Sequence, residues 1–374
     1  MDVTSWLRAT PRLLVVTARN GRPSRLAVER LARERGWELA VSPADADLLV
    51  VCGTPDPGWG DAIERVWAQV PAPRARADVG SADGARDELD RAYHRLRDGT
   101  GAGLACVSPA TEEARAEPGH GTVASAHEVQ AHEVQVDEVP THEMSGHGMS
   151  EHEMSEHEMS DGHDMHMMHG GEVAGLPMAD RAPDRDGLTL DVLQMSLGPV
   201  LPDWPAGLVV HVTLQGDVVQ AARVEVVGEP GPAWEGPPAA AALDGLAQLL
   251  AVCGSSTAAR TARRLRDDVL ADTVDSAVLH RFARRLRRSR TLRWATDGLG
   301  RLDDGRPDLA GDATARWLRW LDTAEHGGPA PDAGRAAAAL TALPGLVEGR
   351  ELASVRVVVA SLDLDLDALM MVPG

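Results

Sequence analysis

The chain has 374 residues, enough for two ordinary domains that each bury a core without disulfides or metals. Its formal net charge is −20, but residues 112–172 hold 15 acids against the single Arg115, so the rest of the chain is close to neutral. This balance lacks the basic footprint of a nucleic-acid-binding protein, and the absence of lysine excludes Schiff-base chemistry and a phosphate-loop lysine.

The first hundred residues alternate short apolar runs with amphipathic stretches, which is typical of a parallel sheet covered by helices. Strands are predicted at residues 13–16, 38–41, 47–52 and 74–79, and helices at residues 24–35, 61–69 and 83–96. The run at 47–52 is apolar throughout, as expected for a strand buried on both faces. We therefore predict an α/β domain with a parallel sheet over residues 1–105.

Residues 106–175 are predicted to be a disordered, acidic, His- and Met-rich linker. A pentapeptide, Ala-His-Glu-Val-Gln at Ala126, recurs as Glu-His-Glu-Met-Ser at Glu151 and Glu156. A period of five fits neither helix nor strand. Dense negative charge and low hydrophobicity leave too little apolar surface to offset the entropy of the chain.

The linker is also the candidate metal site. Ten of the 14 histidines and seven of the 12 methionines lie between His120 and His169, and their imidazole and thioether groups suit Cu, Ni and Zn. The alternative is that repeat slippage expanded a tolerant polar tether. With Ni or Cu as the candidate ion, the predicted ligands are His142, His147, His152, His157, His163, Met165, His166, Met167, Met168 and His169.

Residues 176–374 are predicted to form an α+β domain, a β-hairpin followed by a helical bundle. A strand at 188–196 precedes the hairpin at 208–227, whose turn is Gln215-Gly-Asp217. Helices are predicted at 238–252, 257–270, 274–289 and 312–325. The fold class is therefore an α/β N-terminal domain, a disordered linker and an α+β C-terminal domain.

Three other features favour structural roles. Cys52 ends an apolar run with no His or Asp to complete a nucleophilic group, which favours a buried thiol. The helix at 281–293 has seven arginines and a buried side that includes Phe282, favouring a solvated face or a protein contact over nucleic acid. The alternating acids Asp363, Asp365 and Asp367 lack the Gly and Glu of a calcium loop, favouring a capped or solvated terminus.

Compartment and membrane association follow from what the sequence lacks. The longest apolar run near the N-terminus covers only residues 13–16, so neither a leader nor a membrane span is predicted. Three cysteines without a Cys-x-x-Cys pair fit a reducing compartment. We expect a cytoplasmic protein without direct membrane insertion.

Three N-terminal motifs resemble the B subunit of respiratory complex I and the small subunit of NiFe hydrogenases: Asp47-Leu-Leu-Val-Val-Cys-Gly-Thr54, Ile63-Glu-Arg-Val-Trp-Ala-Gln-Val-Pro71 and Val79-Gly-Ser-Ala82. The resemblance implies an α/β domain, which in that family carries an iron–sulfur cluster. Here Ala82 stands at one cysteine position of the family, and Thr17-Ala-Arg-Asn-Gly21 stands where paired cysteines are expected. Four thiolates cannot be assembled, so no iron–sulfur cluster is expected.

The second domain resembles the D subunit of complex I, which is the quinone-site partner of the B subunit and a relative of the hydrogenase large subunit. The matching segments are Leu197-Gly-Pro-Val-Leu-Pro-Asp-Trp-Pro-Ala-Gly207, the hairpin at 208–219, and Val355-Arg-Val-Val-Val-Ala-Ser-Leu-Asp363. The quinone-site histidines and tyrosine of the family have no counterpart, and no Cys-x-x-Cys pair exists for a nickel–iron centre. The resemblance covers about two thirds of the chain in separated blocks.

Three functional hypotheses follow. The first is a non-catalytic accessory, assembly or structural subunit that associates with a complex I-like or membrane-hydrogenase-like oxidoreductase, held at the inner face of the membrane by its partner subunits. The second is a protein that stores or delivers Ni or Cu through the linker. The third is a quinone-linked oxidoreductase component. If the domains pack together, a large apolar interface is expected, with Trp317 and Trp320 as contributors or as ordinary core residues.

Overall fold

The computed structural model describes residues 10–99 and 191–369, without 304 and 330, and the backbone of short strand segments between 172 and 190. In residues 10–99, four parallel strands form a sheet in the order β2-β1-β3-β4. The central strand β3 is buried at every position, as its apolar sequence predicts. The strands are β1 (Arg12–Thr17), β2 (Glu38–Leu39), β3 (Leu48–Cys52) and β4 (Ala75–Val79).

Three helices cover this sheet: α1 (Arg22–Glu34), α2 (Gly60–Gln69) and α3 (Ala85–Asp98). Helices α1 and α3 pack on one face of the sheet, and α2 packs on the other with Trp59 and Ile63. The chain crosses to the opposite side of β1 between β2 and β3, so the edge where β1 and β3 end is a topological switch point.

A second sheet is antiparallel, with strand order β10-β9-β8-β7. Its inner face carries Val210, Val212 and Leu214, which alternate with outward-facing residues of β9. The predicted hairpin turn is confirmed: Gly216 has φ of +60° and joins β9 to β10. The strands are β5 (Glu172–Val173), β6 (Leu176–Pro177), β7 (Asp180–Pro183), β8 (Thr189–Leu197), β9 (Leu208–Gln215) and β10 (Val218–Val226).

Helices follow the second sheet and build two cores. Trp317 lies at the centre of one core, and the other forms where the sheet packs on α9 and α10. Trp317 and Trp320 are thus ordinary core residues. The helices are α4 (Pro238–Val252), α5 (Ser256–Leu270), α6 (Ser276–Arg287), α7 (Arg290–Thr296), α8 (Ala313–His326), α9 (Ala333–Val347) and α10 (Leu352–Leu362).

The structure confirms the coarse fold class: a parallel sheet with helices, then an antiparallel sheet followed by helices. One predicted helix is divided in two. The arginine-rich segment at 281–293 breaks after α6, because the Ser289 hydroxyl accepts the Leu292 N–H and caps the start of α7. Within the described residues, no helix combines the length and the apolar character needed to cross a membrane.

Candidate functional site

Residues 10–99, here the N-terminal part, and residues 191–369, here the C-terminal part, belong to one compact unit. Helix α1 lies against α5 at their junction. The charged residues of α1 recur at spacings of three and four, which places them on one side of the helix. That charged stripe consists of Arg22, Arg25, Glu29 and Arg33.

The charged stripe meets acids and arginines of α4 and α5. Arg25 donates to both carboxylate oxygens of Asp244, and Glu29 accepts from Arg266 at 2.6 Å. Arg266 Nη1 also donates to Asp244 at 2.8 Å. The contact continues along α5, where Asp267 accepts from Arg266 at 2.7 Å. It ends with two outer pairs, Arg33 to Asp267 at 2.9 Å and Arg263 to Asp203 at 2.6 Å.

These side chains form the junction network, in which four arginines balance four acids in charge. Its members are Arg25, Arg33, Arg263, Arg266, Glu29, Asp203, Asp244 and Asp267. Burial alone would raise the pKa of Glu29, but Arg25, Arg266 and Arg263 outweigh it and hold that pKa at about 2. Burial likewise opposes ionisation of Asp244, yet Arg25 and Arg266 keep its pKa well below the usual value. Glu29 and Asp244 are therefore ionised at neutral pH, and each of these buried charges depends on its partners. At the edge of the network, burial raises the pKa of Asp203.

A large apolar interface was expected if the two parts pack together; the hydrogen bonds of α1 with α4 and α5 are instead ionic. Apolar contact across the junction is supplied by Val200 and Val227, which pack beside the core of the N-terminal part. Charged side chains meet at the junction because of how α1 is placed. One side of this helix packs on the sheet, and the opposite side forms ion pairs with α4 and α5 instead of facing water.

Arg19 fills the switch point of the parallel sheet. It lies in the loop after β1, is buried, and donates to the carbonyl oxygens of Gly228 at 2.7 Å and of Leu366. A Cβ atom on Gly207 would lie 2.4 Å from Arg19 Cγ, so only glycine permits this approach. Ligands of open α/β sheets bind at such crevices. Here the crevice is occupied by the C-terminal part of the same chain.

A cavity of about 70 Å³ lies beside Arg25, between β1, α1 and the C-terminal part. It has room for several water molecules, but it is far smaller than the roughly 300 to 1,000 Å³ of typical small-molecule sites. Trp204 and Gln248 contribute to its wall. The acids that line it are Glu29, Asp203, Asp363, Asp365 and Asp367.

The acidic tail was predicted to be capped or solvated, and the structure instead buries it in the cavity wall. Asp365 accepts from Arg22 at 2.8 Å, while its second oxygen is buried without a partner in the described residues. Burial raises the pKa of Asp363, and it raises the pKa of Asp367 to about 6. Asp363 does end α10 as its C-cap residue. The acids are not solvated, because Arg19 and Arg22 of the N-terminal part lie beside them, which sequence spacing does not reveal.

The thiols of the described residues lie apart from one another. Cys52 ends β3 and is fully buried, which confirms its interpretation as a buried thiol, and burial raises its pKa. Cys253 follows α4 and is half-buried, with a pKa raised by burial to about 11. Ala82 lies in the turn between β4 and α3, at the carboxyl edge of the parallel sheet.

The predicted metal ligands, from His142 to His169, lie outside the described residues. Among those described, one group has its ligating atoms within 4.8 Å of one another: Asp322, Glu325 and His326. Arg287 already pairs with both carboxylates, and Glu325 also accepts from His280 Nδ1 at 2.7 Å. Ion pairing thus accounts for this group.

A basic face lies on α6 and α7, away from the junction. Its arginines on α6 recur at spacings of three and four, and the ones named here are exposed and form no ion pair within the described chain. Trp294, which is 88% exposed, extends the same surface. The basic face comprises Arg281, Arg284, Arg285, Arg288, Arg290 and Trp294.

Comparison with known proteins adds no template for the junction. No protein-family model, curated protein or solved structure gives a significant match to this chain, so the site is interpreted from its own residues.

Proposed function

We propose that this protein is an accessory or assembly subunit of a complex I-like or membrane-hydrogenase-like oxidoreductase, non-catalytic in the redox reaction of that complex. It would work in the cytoplasm, at the inner face of the membrane, through its partner subunits. The proposal includes the resemblance of its two parts to the B and D subunits of complex I, which are natural partners.

The positions of the resembling segments support this proposal. Residues 197–207 and 355–363, separated by about 150 residues in sequence, both contribute to the junction cavity, through Trp204 and Val359 for example. On the other side, β1 contributes Val15 and Thr17. A fused pair of partner domains would meet in this way, with the carboxyl edge of the parallel sheet against the opening segment of the second domain.

The main support for the proposal is that protein side chains fill the space at the junction. Where a redox protein of this layout would need room for a cofactor or substrate, Arg19 and the junction network occupy the space. The remaining cavity of about 70 Å³ is too small for a substituted quinone ring. This favours the accessory hypothesis over a quinone-linked oxidoreductase.

The basic face is the surface that we assign to the partner. Exposed arginines without ion pairs in the described chain, next to an exposed tryptophan, form the kind of patch that protein interfaces favour. The junction arginines Arg25 and Arg266 are neutralised by acids, whereas the arginines of the basic face form no ion pair within the described chain. We propose that this face binds an acidic surface of the oxidoreductase.

Affinity purification of the tagged full chain from its own cells under gentle detergent, followed by mass spectrometry, tests the proposal. We expect subunits of the oxidoreductase with the wild-type chain, and at least tenfold less with Arg284→Glu/Arg288→Glu. Arg65→Glu/Arg350→Glu makes the same charge change at exposed positions elsewhere and should retain the partner. Recovery of no oxidoreductase subunit with the wild type would refute the accessory role.

The composition of residues 120–169 supports a second proposal, storage or delivery of Ni or Cu. Ten histidines and seven methionines in this stretch offer borderline and soft ligands. Titration of the full chain with Cu(I) and Ni(II) should give submicromolar, stoichiometric binding. Replacement of His163, His166 and His169 by alanine should weaken it. Millimolar dissociation constants would leave the segment as a tether.

A further inference from the structure

The outer face of the antiparallel sheet carries a row of three polar side chains on neighbouring strands. Ser196 of β8 lies directly opposite His211 of β9, and His211 lies directly opposite Arg223 of β10. Direct neighbours on one face have Cβ atoms about 4.5 to 5.5 Å apart, so their polar groups stand side by side. Glu225, two residues along β10, belongs to the same face.

Hydrogen bonds join three of these groups in series. Ser196 Oγ lies 2.9 Å from His211 Nδ1, and His211 Nε2 lies 2.9 Å from Glu225 Oε2. The hydrogen bond from His211 lowers the pKa of Glu225, which favours the carboxylate. A carboxylate only accepts, so in the neutral imidazole Nε2 carries the proton and Nδ1 accepts from the Ser196 hydroxyl. Hydroxyl, base and acid thus stand in the order that activates a nucleophile.

A depression of about 380 Å³ opens beside Ser196. The adjacent row on this face is Gln194, Thr213 and Ala221, and the short side chains of the last two leave room next to His211. The depression is shallow and open to solvent, which suits a small substrate rather than a deeply buried one. Ser196 is exposed, so a small substrate can reach its hydroxyl directly.

We propose that Ser196 is a nucleophile that accepts acyl groups from small esters, with His211 as general base and Glu225 as positioning residue. Ser196 Oγ bonds to the carbonyl carbon while its proton passes to His211 Nδ1. The bond to the leaving alkoxide then breaks, and His211 returns the proton to it. Water repeats the sequence and releases the carboxylic acid.

This site is separate from the junction and does not depend on the accessory role. A fluorophosphonate probe tests it on the full chain: the Ser196 Oγ–P bond forms, the P–F bond breaks, fluoride leaves, and the hydroxyl proton passes to His211. We expect one label per chain, mapped to Ser196 by peptide mass spectrometry. Labelling should fall at least tenfold in His211→Gln and be absent in Ser196→Ala.

The matched control is Ser81→Ala, which removes an exposed hydroxyl that accepts from the Gly84 N–H. It should label like the wild type, and all variants should keep the wild-type melting temperature because the substituted side chains lie at the surface. Absence of label on Ser196, or equal labelling of wild type and His211→Gln, would overturn the proposal and leave a cross-strand polar pairing.

The positioning role of Glu225 has its own measurement, rescue by a conservative variant. The Glu225 carboxylate accepts from His211 Nε2 at 2.9 Å and so orients the ring. Glu225→Ala removes this acceptor and should slow labelling of Ser196 at least tenfold, whereas Glu225→Gln keeps an amide oxygen that can accept and should restore most of the rate. Equal labelling rates in wild type and Glu225→Ala would overturn this role. In hydrolysis of 4-nitrophenyl acetate, Glu225→Ala should lower kcat and leave KM unchanged.

Discussion

Arg266 of α5 donates to Glu29 of α1 at 2.6 Å, and the two residues are 237 positions apart in the sequence. Both side chains are almost completely buried. This pair makes the attachment of the two parts electrostatic and directional, because each guanidinium N–H needs an oxygen at a defined position.

Replacement of Arg266 by methionine should lower the free energy of unfolding by about 3 to 5 kcal/mol. Methionine preserves much of the volume but leaves Glu29 and Asp244 buried without one of their cations. The matched control is Arg33→Met, which removes a partly exposed partner of Asp267 and should cost less than about 1 kcal/mol. Urea unfolding of the full chain measures both, and equal losses would contradict a buried network.

The stability of the protein should respond to pH through Asp367. Burial raises the pKa of this carboxyl from 3.8 to about 6, so the folded state binds its proton more tightly than the unfolded state does. The resulting stabilisation is complete below pH 3.8 and is lost as the pH rises through 6.

Asp367→Asn should therefore raise the unfolding free energy at pH 8 by about 1 to 3 kcal/mol and have little effect at pH 4. Asparagine retains an oxygen that can accept the N–H of Gly231, as Asp367 does at 3.1 Å. Urea unfolding at the two pH values checks the difference. A variant that is less stable than wild type at pH 8 would show that the charge of Asp367 is needed beside Arg19.

Gly207→Ala should disturb the packing around the Arg19 side chain. The glycine has φ of +84°, and an added Cβ would meet Arg19 Cγ at 2.4 Å and the Val227 carbonyl oxygen at 2.6 Å. We expect a loss of about 2 to 5 kcal/mol, from the left-handed backbone and the overpacking together.

Gly216→Ala is the control for the backbone term alone, because φ is +60° and no atom lies within 4 Å of the added Cβ. It should cost about 1 to 2 kcal/mol. Thermal unfolding of both variants separates the two contributions. Equal costs would mean that the loop relaxes away from Arg19.

Thiol labelling should distinguish the two described cysteines in a Cys106→Ser background. Cys52 is buried and should react only on unfolding, whereas Cys253 is half-buried with a pKa raised to about 11. At pH 8 its thiolate is scarce, so labelling by Ellman's reagent should be on the order of 100-fold slower than for free cysteine, and faster as the pH rises. Rapid labelling of Cys52 in the native protein would contradict its burial.

Much of the fold was accessible from the sequence because local patterns agree with the packing. The apolar run Leu48–Cys52 becomes the central strand, and the alternation around Gly216 becomes the β9–β10 hairpin. Strand β7 was missed, since residues 180–183 lack an alternating apolar pattern. The predicted hairpin is therefore part of a four-stranded sheet.

The junction was not accessible in the same way, because its residues resemble those of a solvated helix surface. The signal that was present is Asp244, which is the one charged residue of the helix Pro238–Val252. An acid buried among apolar residues requires a cation, and the mixed charges of α1 offered one. The Ser196–His211–Glu225 series was hidden for another reason: its members lie on three strands, and only the register brings them together.

The long separation between Glu29 and Arg266 also affects how the chain is made. At roughly 5 to 20 residues per second, a ribosome needs roughly 10 to 50 seconds after it adds Glu29 before it adds Arg266. During that interval the nascent N-terminal part presents a hydrated, mixed-charge helix face to its surroundings. An apolar docking face would leave the nascent chain prone to aggregation throughout this interval. The ionic junction therefore lowers the risk of aggregation while the rest of the chain is synthesised.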